Sequence, residues 1–184
     1  MKKVLSLFLA MLMAFSLAAC SPKESISGVA QNEEVSIAFP AEYVRRSEIT
    51  EEEFIGNFEV LEGFISATLN ADGSVTLVIT KTEQNRILQG AIILIDETIV
   101  DLVEDETTSF SEITYNSNLT EFNMVVNRAN FESGWDIFYA EMIGDTALVY
   151  HTIYGDFEDV TINVYIIDED TDEIIDTATF DFNV

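Results

Sequence analysis

Stretches of alternating apolar residues and stretches of helical period take turns along this chain. Val35, Ile37 and Phe39 alternate with polar or small residues and stop at Pro40, which predicts a strand. Thr50-Glu51-Glu52-Glu53 sets a hydroxyl three residues ahead of a carboxylate, the capping-box arrangement that satisfies two free N–H groups at a helix start. Phe54, Phe58 and Leu61 follow at helical spacing, so a short helix is expected over about 51–61, stopped near Gly63. Ile65, Ala67 and Leu69 then alternate, Asn70-Ala71-Asp72-Gly73 interrupts, and Val75, Leu77 and Ile79 resume. Asp-Gly between two alternating runs predicts a hairpin, because glycine supplies the positive φ that tight turns need.

Thr80 to Glu83 repeats the capping box. From there to about Val103, Leu88, Ile92, Ile95, Ile99 and Leu102 form a stripe, widened by Ile87, Ala91, Leu94 and Val103. A long helix this apolar is buried centrally or covered by a partner. Ile113 and Tyr115, then Phe122, Met124 and Val126, alternate around a polar turn at 116–120. Phe131, Trp135, Phe138 and Met142 next share a helical face, expected to be core rather than a ligand groove, with a break near Gly144-Asp145 and resumption from Ala147 to Tyr154. Val160, Ile162, Val164 and Ile166 open a last hairpin, whose return strand is expected from Ile174 to Phe182.

These elements predict an α+β fold: an antiparallel sheet of hairpins with helices packed on one face, in a single domain over residues 35–184. The other face would be flat, polar and accessible, carrying Ser66, Thr68, Thr76, Thr114, Thr161, Asn163 and Tyr165. Hairpins starting at 65, 113 and 160 fit a repeated strand-strand-helix unit whose last copy lacks its helix. An alternating α+β chain also gives near-equal steps by chance.

The start of the chain follows a different rule. Met1-Lys2-Lys3 precedes Val4 to Ala19, an apolar run interrupted only by Ser6 and Ser16. A membrane-spanning helix needs roughly 20 apolar residues, and Cys20-Ser21-Pro22-Lys23-Glu24 ends this run short of that. Residues 1–19 therefore read as a secretory signal peptide. Leu17-Ala18-Ala19-Cys20 resembles the lipobox of bacterial lipoprotein precursors: an aliphatic residue, two small residues, then cysteine. The resemblance implies a diacylglyceryl group in thioether linkage to Cys20, cleavage before it, and a protein held on the extracytoplasmic face of the cell membrane. Two or more acyl chains anchor stably where one is marginal. Residues 20–34 would be the lipidated cysteine and a flexible tether, spanning roughly 20 Å as a random coil.

Charge narrows the partners. The chain carries 34 acidic residues against 8 basic ones, a net charge of −26. All the acids fall after residue 19, whereas Lys2 and Lys3 leave with the signal. Such a body is repelled by nucleic acid, which sets nucleic-acid binding aside. Thirteen phenylalanines and a high apolar fraction argue against a disordered chain.

Candidate chemistry is sparse. Asp168, Asp170 and Asp172 match the first positions of an EF-hand, but glycine is missing at position six, where Glu173 stands, and glutamate at position twelve, where Thr179 stands. A hairpin tip is expected, with at most a weak surface calcium site. His151 is the only histidine and Cys20 the only cysteine, which rules out a three-histidine zinc centre and a Cys-His dyad within the body. His151 is expected to pack at a helix end. No Gly-x-Ser-x-Gly elbow and no phosphate-cradling glycine loop occurs, and carboxylate pairs are too many to single one out. Arg45-Arg46, the one doublet of positive charge after the signal, is a weak candidate for anion binding, and pairing with Glu42 or Glu48 is the simpler reading. No cofactor is expected.

From the lipobox through Asn70-Ala71-Asp72-Gly73-Ser74-Val75 to the last hairpin, the chain resembles small lipoproteins of Gram-positive gut bacteria, a group that brings no catalytic residues with it. The resemblance implies an anchored α+β domain. The expected role is a non-enzymatic module that binds a cell-surface protein or glycan. A small cell-envelope or glycan-acting enzyme and a substrate-capturing transporter lipoprotein are the alternatives.

Overall fold

A computed structural model describes residues 33–47, 49–156 and 160–181. Of these, residues 33–90 with 152–155 form one compact unit, and 91–151 with 156–181 form another.

The first unit holds β1 (Glu34–Phe39), α1 (Ala41–Arg46), α2 (Glu51–Gly56), β2 (Phe64–Leu69), β3 (Val75–Thr80) and residues 81–90 of α3 (Lys81–Glu104). Its three strands are antiparallel in the order β1-β3-β2, with Ile37 opposite Leu77 and Phe39 opposite Val75. That register puts Ile37, Phe39, Val75, Leu77 and Ile79 on one buried face. Phe39 packs there against Tyr43 of α1, Phe54 of α2 and Phe58, at ring centroid distances of 5.7, 5.4 and 5.1 Å. Both short helices are held by these rings, since six residues are far too few for a helix to be stable alone. The expected capping box forms in full: Thr50 accepts from Glu53 N, and Glu53 accepts from Thr50 N. The helix ends at Gly56, before the expected 61, and the chain continues in turns that still bring Phe58 into the core.

The Asp72-Gly73 hairpin is present as read, with Gly73 at φ 86° and Ser74 N donating to the Asp72 carboxylate at 3.0 Å. At the start of α3 half of the second box forms. Glu83 N donates to Thr80 Oγ1 at 3.2 Å, but the buried Glu83 side chain turns to Arg86 in a two-point ion pair.

The second unit holds the rest of α3, β4 (Phe110–Tyr115), β5 (Glu121–Val126), α4 (Arg128–Ser133), α5 (Ile137–Tyr154, to residue 151), β6 (Ile162–Asp168) and β7 (Ile174–Phe180). Its sheet has the order β4-β5-β6-β7. Phe110, Ile113, Phe122, Met124, Val126, Ile162, Val164 and Ile166 face a core completed by Ile95 and Leu102 of α3 and Ala140, Ile143, Ala147 and Leu148 of α5. Helices therefore cover one face of this sheet.

The fold is α+β, as the alternation predicts, with three differences. The hairpins are shared between two sheets instead of one, because β1 pairs with β3 and closes the first sheet at three strands. The β5–β6 pair is parallel, since a helical crossover returns the chain to the end from which β5 began. The helix break falls at 134–136, where Gly134 is extended and the Ser133 hydroxyl bonds back to Ala129 O and Asn130 O. Gly144 lies inside an unbroken α5, and the Phe180 ring fills the space its side chain would take. The expected aromatic core face is split by that break: Trp135 is 87% exposed.

Asp105, just past the end of α3, has a structural role. Asp105 Oδ1 accepts from Thr107 N and Oγ1, at 2.8 and 2.7 Å, which turns the chain out of the helix and holds the Asp105 carboxyl below its ordinary pKa. Thr108 Oγ1 then donates to the terminal carbonyl of Leu102 at 2.6 Å.

Candidate functional site

The open face of the four-stranded sheet follows from the same period of two that built its core. Residues between the buried ones point away from the helices. Register sets them in rows: Glu121, Asn163 and Thr179; Thr114, Asn123, Tyr165 and Thr177; Glu112, Val125, Ile167 and Ile174. With strands about 4.8 Å apart, the four span roughly 15 Å. The middle row has the Tyr165 ring flanked by an amide and a hydroxyl. Thr179 Oγ1 and Asn163 Oδ1 are 3.2 Å apart in the row beside it. The third row is apolar from Val125 through Ile167 to the largely exposed Ile174, and ends at Glu112 on β4. The face is thus a shallow platform with one aromatic ring, two amides, three threonine hydroxyls, an apolar stretch, and the carboxylates of Glu112 and Glu121 at its margins.

Of the face expected from sequence, Thr114, Asn163 and Tyr165 lie here, and Thr161 lies just before β6. Ser66, Thr68 and Thr76 belong instead to the first sheet, where Thr68 and Thr76 are direct cross-strand partners. Asn123 and Thr177 were not singled out by sequence. Their alternation was visible, but which strands lie beside one another was not.

Arg45 and Arg46 occupy the last turn of α1 and both approach Glu42. Arg45 Nη2 bonds Glu42 Oε2 directly, and Arg46 Nε lies 3.8 Å from Oε1. The Arg45 hydrogen bond is the main reason the Glu42 carboxyl sits below its ordinary pKa, followed by the charges of Arg45 and Arg46. Glu48, the other expected partner, lies outside the described residues. Beside Arg45 opens a cleft of about 420 Å³, lined by Ala41, Val44, Ile49, Thr50, Glu51 and Gly73 as well.

His151 is buried, at 4% exposure. Its Nδ1 lies 2.8 Å from Asp156 Oδ1 and its Nε2 3.0 Å from Asn118 O. Both ring nitrogens are engaged, so the ring ties the β4–β5 turn to the residues after α5 and offers no free nitrogen to a reactant. The histidine was expected to pack at a helix end; the sequence held no sign of its partner at Asn118.

The acidic tip is the expected hairpin turn, closed by Asp168 N donating to Glu173 O at 2.9 Å, with Asp172 at φ 58°. Asp168 turns inward, accepts from Asp170 N at 2.9 Å and lies 3.7 Å from Arg128, while Asp170 and Asp172 are exposed. The three are not brought together, and among the described residues no group of three His, Cys, Asp or Glu side chains is placed to hold a metal ion. No described helix is long and apolar enough to cross a membrane. Cys20 and the lipobox lie outside the described residues. No family model, curated protein or solved structure matches the chain.

Proposed function

We propose that this protein is a bacterial lipoprotein, anchored through acyl chains on Cys20 to the extracytoplasmic face of the cell membrane. Its folded body is a non-enzymatic module that binds a neutral glycan of the cell surface through the open face of the four-stranded sheet. The anchor rests on Leu17-Ala18-Ala19-Cys20 at the end of an apolar, basic-headed segment. The binding role rests on one observation, the row Thr114, Asn123, Tyr165 and Thr177 laid across four strands. A sugar ring presents an apolar face to an aromatic ring and hydroxyls at its rim, which amides and hydroxyls in the same plane accept and donate to. The net charge of −26 disfavours acidic sugars and leaves neutral ones.

Two measurements test the parts separately. Mass spectrometry of the native protein is expected to find a chain beginning at an acylated Cys20; a free thiol there sinks the anchor. Titration with neutral and uronic-acid oligosaccharides is expected to show binding of the neutral set only, weakened about tenfold or more in Tyr165→Ala. Equal binding by Tyr165→Ala, or none by the parent protein, removes the sheet face from the proposal.

A further inference from the structure

The cleft beside Arg45 is built entirely from residues of the first unit, and its lining has a chemistry of its own. We infer that it is a binding site for a small apolar amino acid in its zwitterionic form. Its volume of about 420 Å³ falls within the range of small-molecule pockets. Ala41, Val44 and Ile49 supply an apolar floor, and Gly73, at φ 86°, brings the β2–β3 turn up to it without a side chain. Two charged residues line the same cleft, Arg45, which carries a guanidinium, and Glu51, which carries a carboxylate. Thr50 lies beside Glu51, but its hydroxyl is committed to the helix cap.

Arg45 is mostly exposed, and its bond to Glu42 runs through Nη2. Among the described residues the Nε and Nη1 groups have no other partner, and both can donate to a ligand carboxylate. Glu51 stands at the first position of α2, where the capping box is made by Glu53, so the Glu51 carboxylate is not part of the cap. It is the group to receive an ammonium. One cation and one anion over an apolar floor complement a molecule with both charges and a short hydrocarbon side chain.

The charge of the whole chain decides between the related ligands. At −26 the protein repels a simple carboxylate at long range and attracts amines without selectivity. A zwitterion feels neither, and is chosen only where both charged groups are met at once.

The test is calorimetric titration of the full protein with L-leucine, 4-methylpentanoate and isopentylamine. Leucine is expected to bind, with 4-methylpentanoate and isopentylamine each about tenfold weaker or worse. Arg45→Gln and Glu51→Gln are each expected to weaken leucine by a similar factor; both side chains are exposed, and circular dichroism checks that each variant folds. Amide shifts on adding leucine should centre on Ala41, Val44 and Gly73. No leucine binding at millimolar concentration overturns the site. Equal binding of 4-methylpentanoate and leucine, or leucine binding unchanged in both variants, overturns the zwitterion.

Discussion

The two units solve the same problem, covering one face of a sheet, with different materials. In the first, three strands and two six-residue helices enclose Phe39, Tyr43, Phe54 and Phe58. The rings meet mostly tilted or edge-on, with Phe54 at 5.4 Å from Phe39, 6.1 Å from Tyr43 and 5.3 Å from Phe58. In the second, four strands lie under the long helices α3 and α5, and the core is mainly Ile, Val, Leu, Met and Ala. Short elements offer few side chains, so each must bury much area and hold a defined angle; aromatic rings do both. Long helices offer a side chain every turn, and branched aliphatics suffice. A core of few large pieces should be less forgiving than one of many small ones.

The largest test of this is truncation of Phe54. Phe54→Ala is expected to cost about 3–5 kcal/mol by urea unfolding, whereas Met124→Leu, a volume-conserving change in the second core, should cost less than about 1.5 kcal/mol. The sharper comparison is Phe54→Leu against Met124→Leu. If both cost the same, ring geometry contributes nothing beyond area and the contrast fails.

Glycines give the next test, of intermediate size. A Cβ on Gly63 would lie 2.4 Å from both Glu83 Cβ and Thr80 Oγ1, atoms tied closely to the backbone. A Cβ on Gly144 would lie 2.2–2.6 Å from the Phe180 ring, the far end of a half-buried side chain on β7. Gly63→Ala is therefore expected to destabilise by about 1–3 kcal/mol. Gly144→Ala should cost less, because the ring can swing and alanine favours the helix by up to about 1 kcal/mol. Gly56→Ala, with nothing within 4 Å, is the control and should be neutral or stabilising. Thermal unfolding of the three variants ranks them; Gly144→Ala worse than Gly63→Ala would reverse the comparison.

The smallest effects are in the pH limits, where each unit offers one test. In the first, hydrogen bonds from Thr50, its backbone N–H foremost, hold Glu53 below its ordinary 4.5. The folded form thus favours the carboxylate, a contribution present above that pH and lost as acid protonates it. In the second, the Tyr115 hydroxyl donates to Asp96 Oδ1 at 2.6 Å, and this bond with burial raises its pKa to about 12 from 10.0. The folded form favours the neutral phenol, so the contribution is complete below pH 10 and fades between 10 and 12. Glu53→Gln should soften the acid limb, to which Glu42, Asp72 and Asp105 also contribute, and Tyr115→Phe the alkaline limb, read as unfolding midpoints against pH. A Tyr115→Phe curve that keeps its slope between pH 10 and 12 would assign that slope to another group.

Much of this was legible beforehand, for local reasons. The box at Thr50–Glu53 and the Asp72-Gly73 hairpin involve residues within a few positions of one another, and their chemistry is written where it acts. The break at 134–136 was not, because Gly134 and Gly144 are alike by local rule, and only in three dimensions does the Phe180 ring of the last strand pack against the one that stays helical. Trp135 leaves the core for the same reason, since a helical face holds only if the helix does. His151 could be located on a helix end, but its tie to Asn118 joins residues 33 apart in sequence.

Alternation along each strand, set by backbone geometry, determined which residues of this protein would share a sheet face, and charge and the resemblance of Leu17-Ala18-Ala19-Cys20 to a lipobox set which partners and which compartment to propose. Neighbours across strands and clefts were decided only in three dimensions. The row Thr114–Asn123–Tyr165–Thr177 needs a parallel crossover between β5 and β6, and the Arg45 cleft needs a turn at Gly73 brought against α1. Side-chain period is a property of the chain a few residues at a time. Strand order and the meeting of distant turns depend on how whole faces bury against one another, and no window of sequence contains that.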